Sequence, residues 1–220
     1  MQLTTVANVI DELGIDSSRS TFITRLIKQA TGMIEKHCAR TFSRATQTDI
    51  VSVRRSVRYF PRLVLPRAPI ITLTSITYTD LAQTLDPSLY SIDDAAGGVL
   101  YRADGWAGLP SYTTPATAAY FDDVQPQETR YSVTYVAGYD DPSGSAGSPP
   151  SPVPDDLERA CINTVKELWF AATRDPRIKS EEVAGIGRND YWIGGMPNGA
   201  DSGLSAATVG ILSPYCRIVL

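Results

Sequence analysis

Tyr131-Ser132-Val133-Thr134-Tyr135-Val136-Ala137-Gly138-Tyr139, then a Pro/Ser/Gly loop, then Val153-Pro154-Asp155-Asp156-Leu157: this stretch, running on to Pro176, decides the fold. Tyr131, Val133 and Tyr135 fall on one face of an alternating strand, with Ser132, Thr134 and Val136 on the other, and Gly138 permits a sharp exit. Pro154 suits a first helical position, where its missing N–H would have no partner anyway, and Asp155 and Asp156 stand where the helix dipole favours negative charge. The helix so opened runs to about residue 173, with Leu157, Ala160, Cys161, Thr164, Val165, Leu168, Trp169 and Ala172 on one stripe.

Working outward, Phe22, Ile23, Leu26, Ile27, Ala30, Met33, Ile34, His37 and Cys38 recur at spacings of three and four, predicting a helix over 20–39 that packs against the one at 154–173. A shorter helix is predicted from Thr5 to Leu13, stopped by Gly14. Between Thr46 and Tyr135 alternation replaces helical spacing, and Pro, Gly and Asp punctuate the chain. There Val51, Val53, Val57 and Tyr59 share a face expected to be buried. Residues 102–128, with Trp106, Tyr112, Tyr120 and Phe121, yield no pairing.

The fold class is therefore α+β. A small helical core of two main antiparallel helices with short terminal helices (1–45 and 153–175) carries a β-rich insertion (46–139), a flexible loop (140–152) and an extended C-terminal arm and tail (176–220). Six glycines lie between Gly185 and Gly203, Leu204–Leu212 can form a last short helix, and Arg217-Ile218-Val219-Leu220 has the composition of an edge strand.

With 220 residues the chain can bury roughly 70 per cent of its unfolded surface without disulfide staples. Three cysteines without paired spacing suggest a reduced, intracellular setting, with Cys38 and Cys161 as core residues. Apolar runs are too short to span a membrane and the N-terminus lacks a leader pattern, so a soluble, unsecreted protein is expected. The net charge of −4 conceals an asymmetry: residues 40–67 hold seven arginines against Asp49 alone, whereas residues 68–220 hold nine basic and nineteen acidic side chains. Such polarity suits subunits that meet head to side.

Catalytic readings are weak. His37 and Cys38 are neighbours on a helix and do not face each other, so a nucleophilic pair would need His37 with Cys161. Acidic doublets at 93–94, 122–123, 140–141, 155–156 and 181–182 lack calcium-loop spacing and mostly sit where Asp serves a turn or a helix start. Gly185-Ile186-Gly187-Arg188 lacks the preceding strand and third glycine of a nucleotide loop. The arginines, with Arg54, Arg58 and Arg62 in the strand region, fit an acidic protein surface or a channel better than a DNA-binding patch in a chain of pI near 5.0. Tyr191, Trp192, Ile193 and Met196 stand among glycines outside any core period, as anchors for a partner do.

The strand, its Ala137-Gly138-Tyr139 exit and the helix start at Val153-Pro154 resemble the head-to-tail adaptor (connector, or head-completion) proteins of tailed bacteriophages. The resemblance extends to Cys38-Ala39-Arg40-Thr41-Phe42, to Leu65-Pro66-Arg67-Ala68-Pro69-Ile70, to the hairpin Leu89–Asp93 with Gly97–Leu100, and to the ending Leu212-Ser213-Pro214-Tyr215-Cys216-Arg217. It implies a virion neck protein, assembled in the host cytoplasm, that forms a homo-oligomeric ring of about twelve copies beneath the portal protein. The ring would extend the DNA channel and dock a neck or tail protein, either stopper or tail terminator. DNA would pass through the lumen without sequence-specific binding, and no reaction, cofactor, metal or membrane is implied. Tyr191, Trp192, Ile193 and Met196 with Arg217, Ile218, Val219 and Leu220 are then the expected portal contacts. The alternatives are a tail terminator or another β-rich attachment module, and a small hydrolase using Cys161 and His37. Trp192→Ala is expected to weaken attachment to portal rings with an unchanged melting temperature; unchanged attachment, or a large loss of stability, would remove that assignment.

Overall fold

The computed structural model describes residues 1–54, 60–79, 82–106, 128–173, 180–183, 187–190 and 203–216. The chain divides into a helical unit, Met1–Phe42 with Asp140–Leu220, and a β unit, Ser43–Tyr139. Helices and antiparallel sheets are both substantial, which makes the fold α+β.

In the helical unit, α1 spans Val6–Leu13. Thr5 caps it by accepting the Asn8 N–H at 3.2 Å, and Gly14, at φ 60°, turns the chain into the left-handed region that ends it. Helix α2, Ser20–His37, buries Ile23, Leu26, Ile27, Ala30, Thr31 and Ile34, the single stripe its sequence predicts. Helix α3, Asp155–Thr173, faces that stripe with Leu157, Ala160, Cys161, Thr164 and Val165. Phe22 at the start of α2 meets Trp169 near the end of α3, ring centroids 5.5 Å apart, so the two helices run antiparallel. Burial of the four large aliphatic residues of α2 contributes on the order of 8 kcal/mol as an upper bound, against about 1 kcal/mol for a helix cap. Packing, not local propensity, holds the pair. Ala172, predicted on the buried stripe, is exposed; the stripe ends a turn earlier.

Polar side chains tie α1 to α3. Glu158 Oε1 accepts from Thr4 Oγ1 and Asn8 Nδ2, each at 2.7 Å. Glu12 accepts from Arg159 at 3.0 Å and Lys166 at 2.5 Å, and those two cations hold its carboxyl below the usual range. The segment predicted to begin an extended arm is more ordered than its glycines suggest. It holds an antiparallel hairpin, β8 (Ser180–Val183) with β9 (Gly187–Asp190). Beyond it, Leu204, Thr208 and Leu212 are buried, and α4 (Ala206–Leu212) packs on α3. Residues 203–216 thus belong to the helical body. The 140–152 loop is anchored at its base. Asp140 N–H donates to Ser151 O and Asp140 Oδ2 accepts from Ser151 N–H, both at 2.7 Å, so the base of the loop is closed.

The β unit has a four-stranded antiparallel sheet in the order β1 (Ala45–Arg54), β7 (Glu128–Ala137), β3 (Ile70–Tyr78), β4 (Gln83–Thr84). A second sheet has the order β2 (Arg62–Val64), β6 (Val99–Tyr101), β5 (Ser91–Asp94), of which β5 and β6 form the predicted hairpin. One hydrophobic cluster draws on both: Leu63 and Leu100 from the second sheet, and Ile76, Tyr78, Tyr131, Val133 and Tyr135 from the first. Central β7 buries its odd-numbered residues, as its alternation predicts, because a strand flanked on both sides has one face left for the core. Val51 and Val53 pack against this cluster from β1; Val57 and Tyr59 lie outside the described residues.

Trp106, in the stretch whose pairing the sequence does not reveal, is fully buried at the cluster's centre. Its ring stands edge-on to Tyr131 at 5.3 Å, Tyr131 Oη donates to its carbonyl at 2.6 Å, and its own Nε1 donates to Pro61 O at 2.9 Å.

Both ends of the β unit pass through one point. Arg44 N–H donates to Tyr139 O at 2.9 Å, and Gly138, at φ 109°, brings its Cα so close that a Cβ there would lie 2.5 Å from Ser43 O. Gly138→Ala should destabilise the protein by roughly 2 kcal/mol or more, from strain at positive φ together with that clash. A urea-unfolding midpoint equal to that of the parent would show the close approach to be unnecessary.

Candidate assembly surface

Most residues that the sequence singles out as contacts lie outside the described residues: Tyr191, Trp192, Ile193, Met196, Arg58 and the four from Arg217 to Leu220. Arg54 closes β1 opposite Glu128, and only its backbone is described. Arg62 lies on β2, where its Nε donates to Asp93 Oδ2 at 2.7 Å. Arg62 is thus paired within its own unit. The ion pair is exposed, and such pairs are worth less than about 1 kcal/mol, so a partner's carboxylate could exchange for Asp93 at little cost.

The described surface adds a feature that composition does not reveal. Strand β1 pairs with β7 over ten consecutive residues without a bulge, from Ala45↔Ala137 to Arg54↔Glu128. Its other side has no strand partner among the described residues. Exposed edges invite pairing with another chain, and proteins usually blunt them with bulges, prolines, lysines or short strands. The opposite side of the same sheet is blunted: β4 has two residues, and β3 shows register shifts at Ile70/Thr72 and Leu73/Ser75. Strand β1 has no proline, lysine or bulge. Its one internal charge, Asp49, accepts a 2.6 Å hydrogen bond from Tyr135 Oη. Burial, with Asp49 beside it, raises the Tyr135 pKa, so the phenol remains a donor at neutral pH. Thr46, Thr48, Ile50 and Ser52 line the solvent face, with Ile50 64% exposed.

The second sheet adds apolar surface. Register pairs Arg62 with Tyr101 and Val64 with Val99, on the face opposite buried Leu63 and Leu100, and Val64 is 64% exposed. A long open edge and an apolar sheet face are features through which copies or partners join.

Among solved structures, the chain is similar in fold to one from the neck of an empty gene transfer agent particle computed with C6 symmetry, with 15% identity, 99% of this chain and 91% of that chain covered, and a TM-score of 0.51. A chain from the virion of the native gene transfer agent particle is matched over the same shares, at 15% identity and a TM-score of 0.45. No protein-family model and no curated protein matches the sequence. The first likeness extends over both units, so what it shares with the neck chain is the whole fold.

The thiol chemistry considered for a hydrolase has no support in the geometry. Cys161 is buried on the α3 face toward α2, and burial pushes its thiol up to about 12, so it stays protonated at neutral pH. Cys38 faces Cys216, not His37. Two of the acidic doublets serve local structure: Asp94 Oδ1 accepts from Gly97 N–H at 3.0 Å, and Asp141 Oδ1 accepts from Ser143 N–H at 3.0 Å; the doublet at 122–123 lies outside the described residues. Among the described residues no three His, Cys, Asp or Glu side chains gather as metal ligands do.

Ile50→Lys tests the open edge. A substitution at so exposed a position should change stability by less than about 1 kcal/mol, while a charge on the edge should lower self-association in concentration-dependent light scattering. Association equal to the parent's at every concentration would exclude β1 as a contact.

Proposed function

We propose that this chain is a structural component of a phage-like particle neck, a head-to-tail adaptor that forms a ring beneath the portal and offers a docking surface to the next neck or tail protein. The observation that carries the reading is the likeness to a neck chain over nearly all of both chains. The order of motifs along the sequence supports the same reading. Averaging that neck with six-fold symmetry is compatible with a ring of six or of twelve copies. Rings close through heterologous contacts, and a chain with one open and one blunted sheet edge has the asymmetry such contacts use.

In this reading the basic stretch containing Arg54, Arg58 and Arg62 meets acidic surface on a neighbour. Tyr191, Trp192, Ile193 and Met196, with Arg217–Leu220, meet the portal. Each contact is weak in a monomer and strong in a ring, where many engage at once. The role is mechanical: the ring lengthens the channel and presents a surface, with no bond made or broken.

Sedimentation velocity on the purified chain, alone and with portal rings from the same particle, tests the proposal. Co-sedimentation at about one copy per portal subunit, from a chain that is monomeric when dilute and associates only weakly through its own edge at high concentration, is the expected result for templated assembly. A folded chain that ignores portal rings and binds tail tubes would replace the adaptor role with that of a tail terminator or attachment module.

A further inference from the structure

The sequence offers no pairing for its three cysteines, but the fold brings two of them together. Cys216 Sγ lies 3.7 Å from Cys38 Sγ across 178 positions of sequence. Both sulfurs are held from behind. Cys38 caps the C-terminal end of α2, its N–H donating to Ile34 O at 2.9 Å. Cys216 follows the turn Ser213–Tyr215, which Tyr215 secures by donating to Asp156 Oδ1 at 2.6 Å and by an edge contact with the Phe42 ring at 6.3 Å. Cys38 is fully buried and Cys216 is partly exposed, so an oxidant reaches the pair from one side. Cys161 sits apart on α3.

We propose that Cys38 and Cys216 are a modification site: a dithiol that closes to an intramolecular disulfide on exposure to a low-molecular-weight disulfide. The thiolate of Cys216 attacks one sulfur of the small disulfide, forming a mixed disulfide and releasing one small thiolate. The thiolate of Cys38 then attacks the Cys216 sulfur and releases the second. Two protein thiols are oxidised, one small disulfide is reduced to two thiols, and two protons leave the protein. The sulfurs must approach by roughly 1.7 Å to reach bonding distance, a movement open to the Cys216 side chain near the end of the chain. Burial, then the neighbouring Cys216 sulfur, pushes the Cys38 thiol up to about 12. Closure therefore draws on a small thiolate fraction and quickens as pH rises.

The bond would fasten residue 216 to the C-terminal end of α2. The inference stands on the sulfur pair and is independent of the neck reading. It is tested by treating the reduced full-length chain with oxidised glutathione, then titrating thiols after denaturation and mapping the unreduced digest by mass spectrometry. The expected result is one titratable thiol of the three, in Cys161, and a linked peptide pair containing Cys38 and Cys216. The unfolding midpoint should rise by roughly 5–10 °C, reversibly on reduction. Cys216→Ser, a change at a partly exposed position, should show neither the bond nor the rise. Three remaining thiols, a persistent glutathione adduct on Cys216, or linkage through Cys161 or between chains would each overturn the proposal.

Discussion

The structure depends on one close passage of backbone. The chain leaves the helical unit after Phe42 and returns at Asp140, and between them the β unit must begin and end in the same place. The Arg44–Tyr139 hydrogen bond and the approach of Gly138 to Ser43 are that place. Because the insertion's ends meet, two helices separated by more than a hundred residues can form one antiparallel pair. Any side chain at 138 would push the ends apart, so glycine there is a demand of topology and not of the turn alone.

Within the β unit, register follows from burying tyrosines whose hydroxyls must still find partners. Tyr131 reaches the Trp106 carbonyl, Tyr135 reaches Asp49, and Tyr78 accepts from Arg102 Nη1 at 2.9 Å. A slip of one residue would turn the β7 tyrosines to the solvent face and orphan those bonds, costing both the apolar burial and the polar partners. The same requirement explains how Trp106 becomes a core residue within an irregular segment. Its carbonyl and indole N–H are both satisfied, by Tyr131 and Pro61 from distant parts of the chain, and only then is the large ring tolerated inside.

The two units differ in the surface they leave open. In the helical unit Glu12, Glu158 and Asp156 accept from partners within the unit, whereas the β unit leaves one sheet edge and one apolar face without partners among the described residues. A monomer with no further use for β1 would be expected to blunt it as β3 and β4 are blunted. The unprotected edge is the feature on which the proposed contact between copies rests.

Periodicity determined the α2 stripe, most of the α3 stripe and the inward face of β7, because each is set by neighbours within a few residues; the β5–β6 hairpin was legible through the family resemblance. The short first helix with its stop at Gly14 and the sharp exit at Gly138 were legible from equally local signals. Much less of the candidate surface was legible: Arg62 was singled out without its Asp93 partner, and the open β1 edge is a property of strand order that no local pattern encodes. Only tertiary structure could pair Cys38 with Cys216, draw residues 203–216 into the helical body, close the 140–152 loop and place Trp106 at the centre of a core. Each of these joins residues far apart in the chain or lacking a period, and contact between them exists only once the fold has closed.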